Sequence, residues 1–218
     1  MTYRTLLLLF SLLLAGAGRP TALAQPRIFN APPATLPGQA ISLQGNFSIK
    51  AKAFLLAGAS TTPVPLPILT QTLNHLTARI PTTLSQDLFQ VWIEDAGQRS
   101  PPILINQATG FHLDSPQAPP GGTLRVFGRN LLLSGATPMV QLVPQGGGPT
   151  LQATINLPAS DAYQLSLTLP PTLQPGTTYS LWLANGRGGP AGRSLMSPTL
   201  TALPPGPDAF ALGVGWAA

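Results

Sequence analysis

One pattern occurs twice in this chain, and that duplication limits the fold more than any other feature. The stretch PGQAISLQGNF at residues 37–47 returns as PGGTLRVFGRNL at residues 120–131. IPTTL at residues 80–84 returns as LPPTL at residues 169–173, and VWI at 91–93 returns as LWL at 181–183. The matches keep their order, and the spacing between partners widens slowly along the chain. Two copies of one unit, with loop insertions in the second, explain that behaviour. Each unit is about 90 residues long, the size of a small β-sandwich. The boundary falls near Ala108-Thr109-Gly110.

Within each copy the local signal is β. Apolar and polar residues alternate at Ile41–Leu43, Leu124–Val126, Phe89–Ile93 and Tyr163–Leu169, the period of a strand with one buried face. Pro-Gly, Gly-Gly and Asn-Gly pairs separate these runs as turns. The chain's 26 prolines and 22 glycines interrupt any helix longer than a turn or two. The expected fold class is all-β, with two tandem β-sandwiches.

The N-terminus reads differently. Arg4 is followed by an apolar run, Leu6–Leu14, and then by Ala22-Leu23-Ala24. A cationic start, a short apolar core and a small-x-small site are the layout of a secretory leader. The run is shorter than the ~20 residues a membrane span needs. Cleavage after Ala24 is expected, giving a secreted, periplasmic or cell-surface protein with no membrane span in the mature chain. The predicted organisation is leader 1–24, first domain 25–108, second domain 109–203, and a linker or unfinished tail 204–218.

Charge and chemistry are sparse. Charged residues make up 8% of the chain, and its net charge of +5 rests on 11 Lys and Arg against 6 Asp and Glu. No basic cluster is present to follow a phosphate backbone, so nucleic acid is not an expected partner. The absence of cysteine excludes a disulfide framework, a thiol nucleophile and zinc–thiolate sites. His112 and Asp114 share one face of an extended strand and make at most two metal ligands, where zinc requires three or four. Glu94 and Asp95 are adjacent, and nothing sets them opposite each other across a sugar bond. Residues 186–192, GRGGPAG, have the glycine content of a dinucleotide loop but lack the helix that must follow, so a hairpin loop is expected. No catalytic residue, metal site or cofactor is predicted.

Two tryptophans stand out. Trp92 alternates with Val91 and Ile93, and Trp182 with Leu181 and Leu183. If the aliphatic sets face the core, both indoles point outward from the same strand of each copy. Packing against a neighbouring domain or partner, stacking on a sugar ring, or a place in the core are the alternatives for Trp92 and Trp182.

The repeated opening, Pro-Gly turn, short strand and Gly-Asn-Phe or Gly-Arg-Asn-Leu, resembles the IPT/TIG family (immunoglobulin-like, plexin, transcription factor domains). The closing strand at residues 179–186, YSLWLANG, matches that family's final pattern. The first copy departs from it at Asp87–Phe89 and at Glu94–Gly97, and lacks one residue between Gly45 and Asn46. The resemblance implies a non-catalytic sandwich that binds or spaces, with protein or polysaccharide at the cell surface, or a neighbouring domain of a larger chain, as partner. The tail, ending GVGW at residues 213–216, resembles the front part of large secreted proteins carrying a pectate-lyase-like β-helix. Two alternatives follow: an N-terminal piece of a polysaccharide lyase or hydrolase, or a protein-binding adhesion module.

Overall fold

The computed structural model describes residues 25–204. The inferred leader and most of the tail lie outside the described residues. The first half contains β1 (Arg27–Asn30), β2 (Ala40–Asn46), β3 (Lys52–Ala57), β4 (Val64–Pro65), β5 (Ile68–Thr72), β6 (His75–Arg79), β7 (Phe89–Asp95), β8 (Gln98–Arg99) and β9 (Ile103–Ile105). They form two antiparallel sheets, β1-β2-β6-β5 and β4-β3-β7-β8, with β9 also paired to β7. The second half contains β10 (Thr109–Leu113), β11 (Gln117–Ala118), β12 (Thr123–Arg129), β13 (Met139–Pro144), β14 (Leu151–Gln152), β15 (Thr154–Ile155), β16 (Gln164–Thr168), β17 (Thr178–Ala184) and β18 (Ser194–Ala202). Its sheets are β10-β12-β16-β15 and β11-β18-β17-β13-β14. The duplication is thus repeated in topology, since β1-β2-β6-β5 and β10-β12-β16-β15 have the same order. The parallel pair of β11 with β18 has no partner in the first half among the described residues.

The architecture is an all-β sandwich, and alternation explains how it closes. In β2, Ile41 and Leu43 point inward, and in β12 Leu124 and Val126 do the same. One hydrophobic cluster draws its residues from Ile28 to Ile105, the other from Ala108 to Ala202. In the second cluster Tyr179 is buried, and its hydroxyl accepts a hydrogen bond from the Gln174 N–H at 3.0 Å. Such a corner satisfies a loop N–H while the ring fills the core. The repeat aligns Tyr179 with Phe89 in the first half, which is buried but has no hydroxyl to offer.

The repeated glycines serve two purposes. Gly38 and Gly121 have φ of 85° and 72°, the left-handed conformation that Pro-Gly turns require. Gly45 and Gly128 lie inside β2 and β12 and have no positive φ. A Cβ on Gly45 would overlap the Arg27 carbonyl oxygen, and one on Gly128 that of Thr109. At both places the partner strand shifts register, between Ile28 and Asn30 in β1 and between Gly110 and His112 in β10. These two glycines therefore admit a neighbouring backbone at a bulge.

Candidate functional site

The side chains that carry chemistry are mostly occupied with their own neighbours. Asp114 takes the Arg125 guanidinium at 3.0 Å and the Arg125 N–H at 2.9 Å. Burial alone would raise its pKa, but these two bonds and the adjacent positive charge hold it below the usual carboxylate value. The His112 ring lies flat on Phe127, centroids 4.7 Å apart. Asp95 accepts from the Ser48 N–H and hydroxyl, at 2.6 and 2.7 Å, and Glu94 accepts from the Trp92 indole at 3.1 Å. Among the described residues no three His, Cys, Asp or Glu side chains are grouped to hold a metal ion.

The two tryptophans part company. Trp92 lies on the face of β7 opposite Val91 and Ile93, as alternation requires, yet it is only 1% exposed. Phe54 stacks beside it at 5.8 Å, and the Arg99 guanidinium sits 3.7 Å from its ring centre. An arginine lid held by cation–π attraction and a neighbouring ring on the same sheet cover the indole from within its own half. The outward direction read from sequence stands, but an open indole at Trp92 does not. Trp182 is 37% exposed, flanked across the ladder by Gln141 and Leu195.

The densest constellation is one that sequence reasoning missed, at the joint between the halves. Three buried asparagines meet there. Asn106 follows β9 with φ 68°. Its Oδ1 accepts from the Thr35 N–H at 2.8 Å, and its Nδ2 donates to the carbonyls of Thr35 and Asp87 at 3.0 and 2.8 Å. Asn130, at φ 53°, follows β12 and donates to the Pro33 carbonyl at 3.0 Å and to the Gln107 carbonyl at 3.3 Å. Asn185 follows β17 and donates to the carbonyls of Asn106 and Asn130 at 2.8 and 3.0 Å. Its own Oδ1 accepts from the Arg187 N–H at 3.2 Å. Asparagine suits all three places because it carries both donor and acceptor, and suits Asn106 and Asn130 also because it tolerates left-handed φ. Asn130 and Asn185 were visible as motif residues, but Asn106 had only its position beside the boundary to mark it.

Packing completes the joint. Leu88 is fully buried but belongs to neither hydrophobic cluster. It rests against Gly188, where a Cβ would overlap the Leu88 side chain, with Gly192 close by. GRGGPAG is indeed a hairpin loop, between β17 and β18, and it contains a 3-10 turn at Gly189–Gly192. Gln107 ties this loop further by donating to the Arg193 carbonyl at 3.0 Å, and the Ser194 hydroxyl donates to Ala108. Beside the joint lies an open groove of about 250 Å³, lined by residues 28–33, Ile103 and Leu104 of the first half and by Arg129 of the second.

The sequence matches no family model and no curated protein. Solved structures to which the chain is similar include one described with a xylogluco-oligosaccharide, at 13% identity and TM-score 0.39, covering 80% of this chain and 40% of that one. Another is SGBP-B of the Bacteroides ovatus mixed-linkage glucan utilization locus in complex with a mixed-linkage heptasaccharide, at 18% identity and TM-score 0.32, covering 79% and 43%. A third is the plexin A4 extracellular region, at 12% identity and TM-score 0.36, covering 82% and 18%. The chain spans less than half the length of each, and at these values nothing about ligand or activity passes to it.

Proposed function

We propose that this protein is a non-catalytic, exported module of two IPT/TIG-like domains, residues 25–108 and 109–203, which holds them at one fixed orientation as a spacer or binding unit at the cell surface. The observation that carries this reading is the buried joint. Domains joined by small polar contacts normally move relative to each other. Here two side-chain amides, those of Asn130 and Asn185, bridge the halves, with Asn106 braced within the first half beneath them, away from water, where a broken hydrogen bond is costly. The side-chain chemistry also fits a module without catalysis, because Glu94, Asp95, Asp114 and His112 are engaged in local structure. Polysaccharide or protein at the cell surface is the partner this reading implies, with half-exposed Trp182 as a candidate contact. Trp92 contributes only beneath its arginine lid.

The test is small-angle scattering together with residual dipolar couplings on the full chain. A rigid pair gives one alignment tensor shared by both domains and a scattering profile fitted by a single arrangement. Two different tensors would mean independent domains and would refute the spacer reading.

A further inference from the structure

The groove beside the joint contains an arginine without a counter-charge among the described residues. Arg129 closes β12 immediately before Asn130, whose side chain is anchored on Pro33 and Gln107, so its backbone is held firmly. Its Nε is buried and has no hydrogen-bond partner among the described residues. The one ion pair among the described residues, Arg125–Asp114, does not involve it. The Arg129 guanidinium lies 5.6 Å from the Phe111 ring centre, a cation–π contact that steadies the fork. In the same groove Phe29 presents an open ring, 69% exposed.

The Nε is closed off from solvent, so a ligand in the groove reaches the guanidinium through its outer nitrogens, which pair with no carboxylate among the described residues. An arginine fork selects a carboxylate or phosphate, and the open ring beside it offers a flat apolar face. We infer that the groove between Phe29 and Arg129 is a subsite for a uronate residue of an acidic polysaccharide, its carboxylate on Arg129 and its pyranose face on Phe29. A peptide backbone finds little here. Pro32 and Pro33 have no N–H to donate, and the Pro33 carbonyl already accepts from the Asn106 N–H and the Asn130 side chain. A volume of about 250 Å³ suits a single sugar ring, below the usual drug-sized pocket of about 300–1,000 Å³. Phe111 acts by positioning Arg129.

This inference rests on the reading of the protein as a binding module, and it fails separately from the rigid joint, which scattering and dipolar couplings measure. The experiment is calorimetric titration of the full chain with an oligogalacturonate, with its fully methyl-esterified form and with polyglutamate. Binding of the acid oligomer alone is expected, weakening as salt rises. Arg129→Gln should weaken it about 10- to 100-fold, the range of a lost charge-assisted hydrogen bond. Phe29→Ala, at an exposed position safe for folding, should weaken it several-fold, and Arg129→Lys should restore only part of the Arg129→Gln loss. No binding of the acid oligomer, equal binding of the neutral ester, equal binding of polyglutamate, or unchanged affinity in both Phe29→Ala and Arg129→Gln would each overturn the assignment.

Discussion

Replacing Asn185 with alanine removes the amide that ties the connector to the second half. Two donated hydrogen bonds disappear, to the carbonyls of Asn106 and Asn130, together with the acceptor for the Arg187 N–H. Asn185 has no positive φ, so alanine adds no backbone strain. Each buried carbonyl left without a donor costs about 1–3 kcal/mol. Water entering the space of the missing amide recovers part of this, leaving about 2–4 kcal/mol. For a chain of this size that lowers the melting temperature by roughly 5–15 °C. The loss falls on the contact between halves and not on either hydrophobic cluster. Thermal and urea unfolding followed by tyrosine and tryptophan fluorescence should therefore change from one transition to two, and the dipolar couplings should no longer fit one tensor. A single transition within about 1 °C of the parent, with one shared tensor, would refute the argument that the buried amides set the orientation.

The two kinds of glycine make a paired prediction. Gly121→Ala should cost about 1 kcal/mol through its positive φ alone, and Gly121→Asn should recover most of that, because no atom lies near its missing Cβ. Gly128→Ala should cost about 2–3 kcal/mol by driving β10 away, and Gly128→Asn should be worse, as chemical denaturation of the four variants would reveal. The Asp114 pKa is lowered in the folded protein. Its stabilisation is thus complete above the ordinary carboxylate pKa and is lost as pH falls through the folded value. For a pair this exposed it amounts to less than ~1 kcal/mol. Asp114→Asn should remove that part of the acid sensitivity, measured as melting temperature from pH 7 down to pH 2.

Elements with a period were legible in the sequence, because alternation fixes which face is buried without knowledge of the neighbour. Leu124 and Val126 reached the core, and the copies took the same strand order. What alternation leaves open is what covers the other face. Trp92 obeys the period, yet Arg99 and Phe54 hide it, and no local rule foretells a lid that arrives from another strand. The joint was harder still. Asn106, Asn130 and Asn185 are far apart in the chain, and only the folded arrangement shows that their amides converge. The groove had no signal either, since Phe29 lies near the start of the first copy and Arg129 inside the second.

Leu88 shows what the duplication has become. A free copy of the first sandwich would lose the Gly188 and Gly192 backbone from beside this side chain, next to an Asn106 carbonyl that had lost its donor. The second sandwich alone would present an empty glycine cradle at Gly188. Neither half can be lifted out and used as an independent building block without first redesigning that seam. A cut near residue 108 would part Leu88 from Gly188 and the Asn106 carbonyl from the Asn185 amide in one stroke.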